Sequence, residues 1–203
     1  MTRTQKPLDE QRDARLLVAA ADEFIAHGYQ QASLNRIIAA AGVAKSSFYH
    51  YFTDKQALYD HLLGTLSRRF AAQRALLDRD ALTRETFWDQ LDGSMRGLGA
   101  AGTDDPIERA LARLFHTHSA HDDGLRRLRD DLFEGLGAVL TRGQELGAVR
   151  DDLPIDLVVE LAAGWLFALD RWAANQANCA DGATRRSADL SLRALYEVLA
   201  VHA

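Results

Sequence analysis

The chain has 203 residues, 47% of them apolar and 26% charged, an ordinary globular balance with three prolines and one cysteine. A single thiol, Cys179, excludes an internal disulfide and a cysteine-based zinc site and suits a reducing compartment. The net charge of −5 argues against nucleic acid, but it is unevenly spread: residues 1–55 hold seven Lys/Arg and six Asp/Glu, and the rest of the chain 17 and 23.

The N-terminus carries Arg3 and Lys6 with no apolar run before residue 16, so no signal peptide is expected, and residues 1–8 read as a disordered arm. A first helix is predicted from about Asp9 to His27, with Leu16, Leu17, Ala20, Phe24 and Ile25 on one face. Gly28 stops it. Ser33 then reads as the N-cap of a short second helix carrying Leu34, Ile37, Ile38 and Ala41. Gly42 ends that helix, Val43 plugs the turn, and Ala44 to Tyr51 form a third. Thr53-Asp54 caps a fourth, which begins near Lys55 and places Leu58, Leu62, Leu66 and Phe70 on one face.

Five more helices are predicted, at about 84–98, 106–120, 124–146, 154–177 and 184–202, separated by Gly- and Asp-rich breaks. Pro106 and Pro154 suit a first helical turn, where the missing N–H costs nothing. The longest apolar stretch, 156–177, is interrupted by Glu160, Asp170 and Arg171 and is too broken for a membrane span. The expectation is an all-α, cytoplasmic protein of about nine helices.

Two short helices joined by a turn at Gly42 have helix-turn-helix spacing. Ala39 is small enough to let the two helices approach, and Gly42 permits a backbone conformation that a side chain would oppose. The third helix then presents Lys45, Ser46, Ser47 and Tyr49 outward, with His50 and Tyr51 beside them, while Phe48 and Phe52 face the core. Lysine can donate to guanine acceptors or a phosphate, and serine hydroxyls to either. Tyrosine hydroxyls, Ser33 and the N-terminus of the second helix suit phosphate, and Lys55 can hold another. The competing roles are ordinary aromatic packing for Tyr49 and Tyr51 and a solvated surface charge for Lys45. His50 has no second ligand at helical spacing, so no metal is expected there.

At these residues the chain resembles the TetR family of transcriptional regulators. The resemblance covers about residues 14–58; its matching pieces lie in "LLVAAADEFIAHGYQQASLNRIIAAAGVAKSSFYHYFTDKQALY", residues 16–59, with F-x-x-x-G-Y, S-L-x-x-I-I-x-x-A-G-V and Y-x-Y-F-x-x-K in order. It implies a DNA-binding domain over 9–56, with the motif at about 33–52, and an effector-binding and dimerisation domain over 57–203. It implies a recognition helix in a major groove and a homodimer on a palindrome-like operator. Base readout falls by motif position to Lys45, Ser46, Ser47 and Tyr49, and phosphate contacts to Ser33, Tyr51 and Lys55, with Arg36 an additional candidate and Asn35 a weaker one. Position 44 is Ala, where a polar residue is common, so fewer polar contacts are expected there.

The last two predicted helices carry broad apolar faces: Ile155, Val158, Val159, Ala162, Trp165, Leu166, Leu169 and Trp172, then Leu190, Leu192, Leu195, Tyr196 and Leu199. That surplus would suit a four-helix dimer interface; the alternative is an intramolecular core. Candidates for lining an effector pocket are Trp88, Met95, Phe115, His118, Phe133, Trp165, Phe167 and Asp170, large or polar residues on otherwise apolar faces. "HTHSAH", residues 116–121, holds three histidines, with His118 and His121 three apart; a solvated helix end is expected rather than a metal site.

No Gly-rich phosphate loop, H-E-x-x-H or G-x-S-x-G is present, so neither an enzyme nor a cofactor is expected. The leading expectation is a DNA-binding repressor released from its operator by a small-molecule effector. The alternatives are a helical adaptor and a transcriptional activator without small-molecule control.

Overall fold

The computed structural model describes residues 9–102, 105–118, 122–176 and 193–201. The expected N-terminal arm, His121 and Cys179 lie outside them. Eight helices run in order: α1 (Glu10–Gln31), α2 (Leu34–Ala40), α3 (Lys45–Tyr51), α4 (Lys55–Arg74), α5 (Phe87–Gly102), α6 (Pro106–His118), α7 (Asp123–Glu145) and α8 (Ile155–Gln176). Residues 193–199 form a ninth, α9. The only β feature among the described residues is an isolated bridge between Val149 and Ala200. The molecule is all-α, as its periodicity predicts.

Short polar side chains start these helices by satisfying their first N–H groups. Asp9 Oδ1 accepts from Gln11 N, Ser33 Oγ from Arg36 N (3.4 Å) and Asp54 Oδ1 from Ala57 N (2.8 Å). Asp105 Oδ1 accepts from Ile107 N, and Asp122 Oδ1 from both Gly124 N and Leu125 N. Gly28, at φ +67°, breaks the helical path of α1 where the sequence places a stop, although a last turn continues to Gln31.

The chain divides into two compact units. The first comprises residues 1–67 and 105–125, the second 68–104 and 126–203. The first unit reaches Ser67 and also takes in α6. The cause is packing. Helix α6 lies along α1 and buries Ala110, Leu111, Leu114 and Phe115. Arg113 pairs with Asp22 at 3.3 Å, but both side chains are half exposed, and such a pair contributes at most about 1 kcal/mol. Each fully buried leucine or phenylalanine contributes about 1.5–3 kcal/mol, so the apolar face holds α6 in place.

The second unit has its own core of Leu82, Phe87, Leu91, Leu140, Val149, Val158, Ala162, Leu195 and Leu199. The segment containing α9 is pinned to the turn after α7 by Arg150 N–H donating to Leu199 O (2.8 Å). On α8, Val158, Ala162 and Ala163 are buried, whereas Leu157, Leu161 and Trp165 are 44%, 47% and 46% exposed. Of the residues expected on the broad apolar face of this helix, only Trp165 is exposed among those whose side chains are described. The exposed stripe is Leu157, Leu161 and Trp165, spaced i, i+4, i+8, and the buried stripe lies beside it.

Candidate nucleic-acid interface

The first unit builds its outward face by burying the neighbouring one. Ile37, Ile38 and Ala41 of the α2 region and Phe48 of α3 are buried, and Phe52 closes the end of α3. Phe48 and Phe52 stack on each other with centroids 5.3 Å apart. The turn closes with Gly42 N–H donating to Ala39 O and Val43 N–H to Ile38 O, and Gly42 adopts φ +62°. Ala39 is exposed; the small residue in the wedge is Ala41, 2% exposed. The expectation for Ala39 is thus corrected by two positions.

With Phe48 fully buried, the helical period turns Lys45, Ser46, Tyr49 and His50 outward, all of them exposed. Ser47 and Tyr51 are half-buried. Tyr49 is 49% exposed and rests its ring edge on Phe48 at 5.3 Å, so its orientation is fixed from below. His50 packs edge-on to Tyr51. Ala44, the N-cap of α3, offers no side-chain acceptor, as the sequence implies. One face of the unit thus holds an ammonium, two hydroxyls and a phenol in a row, the donor set that base edges and phosphates accept.

Lys55 has backbone partners. Its Nζ donates to three backbone carbonyls, Tyr29 O (2.6 Å), Ala32 O (3.0 Å) and Gln30 O (3.2 Å), and lies 4.6 Å from the Tyr29 ring centroid. An ammonium has three donors, and all three are engaged. Lys55 therefore closes the C-terminal end of α1, where carbonyls lack intrahelical partners. Tyr29 also donates its phenol to Gln56, so the start of α4 and the end of α1 are locked together. Burial, then the nearby carboxylates Asp54, Asp60 and Asp122, push the Tyr29 phenol up and keep it neutral. Beside it, burial followed by a hydrogen bond to Asp122 pushes Tyr59 up strongly.

Arg36 also has a partner. Its Nε donates to Glu23 Oε1 (2.9 Å) and Oε2 (3.1 Å), its Nη2 also bonds Oε1, and Glu23 Oε1 accepts the Ser33 N–H at 2.8 Å. The Arg36 hydrogen bond, more than any other contact, holds the Glu23 carboxyl below its ordinary value, against the opposing effect of burial.

The model for bacterial regulatory proteins of the tetR family matches residues 16–62, which take in most of α1, all of α2 and α3 and the first part of α4. The chain is 30% identical over 158 residues to the HTH-type transcriptional regulator YdgC of Bacillus subtilis, covering 75% of each. It belongs to the TetR family. This TetR-family chain is also 25% identical over 167 residues to the HTH-type transcriptional repressor KstR2 of Rhodococcus jostii, covering 79% of each. Its fold matches the TetR family protein CprB from S. coelicolor A3(2) with a TM-score of 0.69 at 22% identity, over 95% of this chain and 90% of that one. It is a helix-turn-helix transcriptional regulator, and repressors stand among its relatives.

The eight effector candidates are distributed over both units. Phe115 and His118 fall in the first, where Phe115 is buried and His118 Nε2 lies 3.3 Å from Ile25 O on α1. Trp88, Phe133, Trp165 and Phe167 fall in the second. Trp88 donates its indole N–H to Ala148 O (3.1 Å) and packs edge-on against Phe87 and Tyr196, which gives it core contacts. Phe133 and Phe167 meet edge to face at 5.5 Å, and the Arg129 guanidinium stands 5.9 Å from the Phe133 ring. The side chains of Met95 and Asp170 lie outside the described residues.

Sequence reasoning missed Glu23. Its signal was present: it stands seven residues after Leu16 and three after Ala20, which sets a carboxylate on the apolar face of α1. A charge in that register needs a partner.

Proposed function

We propose that this regulator is a repressor whose homodimer holds operator DNA until a small-molecule effector binds. The observation that carries this reading is the α3 face, where Lys45, Ser46 and Tyr49 stand exposed over fully buried Phe48 within the family-matched segment. Lys45, Ser46, Ser47 and Tyr49 read bases, and Ser33 and Tyr51 contact phosphate. His50, exposed next to Tyr51, lies at the edge of the same surface. Lys55 acts through the backbone it holds, and Arg36 stays with Glu23.

Two recognition helices must reach successive major grooves about 34–36 Å apart, which requires a dimer. The exposed stripe Leu157, Leu161 and Trp165 on α8 supports an interface between two copies, with the α9 region contributing exposed Tyr196, Val198 and Val201. The effector site belongs to the second unit, with the Phe133–Phe167 pair as its aromatic wall. Helices α4 and α7 each contribute residues to both units, so a ligand that favours one arrangement of them shifts the DNA-binding equilibrium by its differential affinity.

The test is equilibrium binding to a duplex selected by the wild-type protein from a random library, over a range of salt. A steep fall of affinity with salt is expected. Salt-indifferent association, or selection of no duplex, would instead favour an adaptor that binds protein.

A further inference from the structure

Helix α2 begins with half of a capping box. Ser33 is the N-cap, and its Oγ accepts the N–H of Arg36, three residues on. The other half calls for an acid at that third position, reaching back to the N-cap N–H. Position 36 is arginine, which has no acceptor. The missing acceptor comes from another helix: Glu23 of α1 takes the Ser33 N–H at 2.8 Å, and Arg36 grips the same carboxylate through Nε. The Glu23 side chain is only 11% exposed and is also 3.8 Å from His27 Nε2.

We infer that Glu23 is a positioning residue for operator binding: from α1 it completes the capping box of α2, fixes the N-cap, and so aims the Ser33 hydroxyl at its phosphate. The Ser33 oxygen is occupied as an acceptor toward Arg36 N–H, which leaves its hydroxyl proton to donate outward. Arg36 is consumed in holding Glu23, so its charge is matched and makes no phosphate contact of its own. The inference rests on the reading that Ser33 touches the DNA backbone.

Operator affinity and thermal unfolding of the full-length protein separate the possibilities, using the duplex selected by the wild type. Glu23→Ala should weaken binding by about ten-fold, the scale of a lost cap. Glu23→Gln keeps an acceptor for Ser33 N–H and should recover most of that loss. Glu23→Leu keeps the bulk but offers no acceptor, and should not recover it. In a Ser33→Ala background, Glu23→Ala should add less than about two-fold, because the two act through one contact. Arg36→Ala should leave the salt dependence of binding unchanged.

The inference is overturned if Glu23→Leu binds as well as Glu23→Gln, if the Glu23 and Ser33 effects are additive, or if Arg36→Ala lowers the salt slope by about one. Should Glu23→Ala fail to fold, the comparison of Glu23→Gln with Glu23→Leu still decides. Loss of the DNA-binding reading looks different: the wild type would then select no duplex, whereas here the wild type binds, Lys45→Ala weakens it, and only the Glu23 series departs from expectation.

Discussion

Lys45 and Lys55 are ten residues apart, both basic and both in the family-matched segment, yet their surroundings differ. Lys45 is exposed on α3, and replacing it with alanine should weaken operator binding by about 1–3 kcal/mol and relax preference at one base pair. Lys55 has its ammonium on three carbonyls, so Lys55→Met should lower the melting temperature and leave the salt slope of DNA binding unchanged. A slope reduced by about one in that variant would return Lys55 to the phosphates. Gly42, at φ +62°, has open space where a Cβ would stand, so Gly42→Ala meets only backbone strain, about 1–2 kcal/mol, read as a shift in chemical unfolding. Glu23 also sets an acid limit. Its folded-state pKa lies below the unfolded value, so its stabilisation is complete above the ordinary glutamate value and is lost as pH falls through the folded one. Glu23→Gln should therefore flatten the pH dependence of unfolding below about pH 4.3.

Among the elements, the helices were legible in the sequence because their punctuation is local. Ser33, Asp54 and Asp122 each cap the helix that follows by bonding N–H groups within three residues. The buried positions Phe48 and Phe52, and hence the outward turn of Lys45 and Tyr49, followed from helical period alone. What the sequence hid were partners far along the chain. Nothing near Lys55 announces the carbonyls of Tyr29, Gln30 and Ala32, and nothing near Phe115 says that α6 packs on α1. An amphipathic pattern shows that a face is buried but not against which element. On α8 the same limit left two adjacent stripes undivided, and the structure buries one and exposes the other. Leu161→Glu sits in the middle of the exposed stripe and clear of the core, so it should convert the proposed dimer to monomer by native mass spectrometry without a loss of helicity. A variant that stays dimeric would remove this face from the interface.

At the scale of the whole molecule, the proposed function requires that an effector-binding second unit communicate with a DNA-binding first unit through helices common to both. Phe133 and Phe167 are the aromatic pair in contact among the effector candidates of the second unit, and neither belongs to the DNA face. Phe133→Ala should thus blunt release by effector while leaving operator affinity in its absence within about two-fold, since surface contacts to DNA are untouched. A net charge of −5 does not oppose this arrangement, because the excess acid lies beyond residue 55 and DNA binding depends on the local set of donors. The most direct measurement is the affinity of wild type and Lys45→Ala for the selected duplex, titrated with salt. A regulator that reads DNA through α3 must show the wild-type affinity falling steeply with salt and a weaker, less discriminating Lys45→Ala. Affinity indifferent to salt and equal in the two proteins would contradict it.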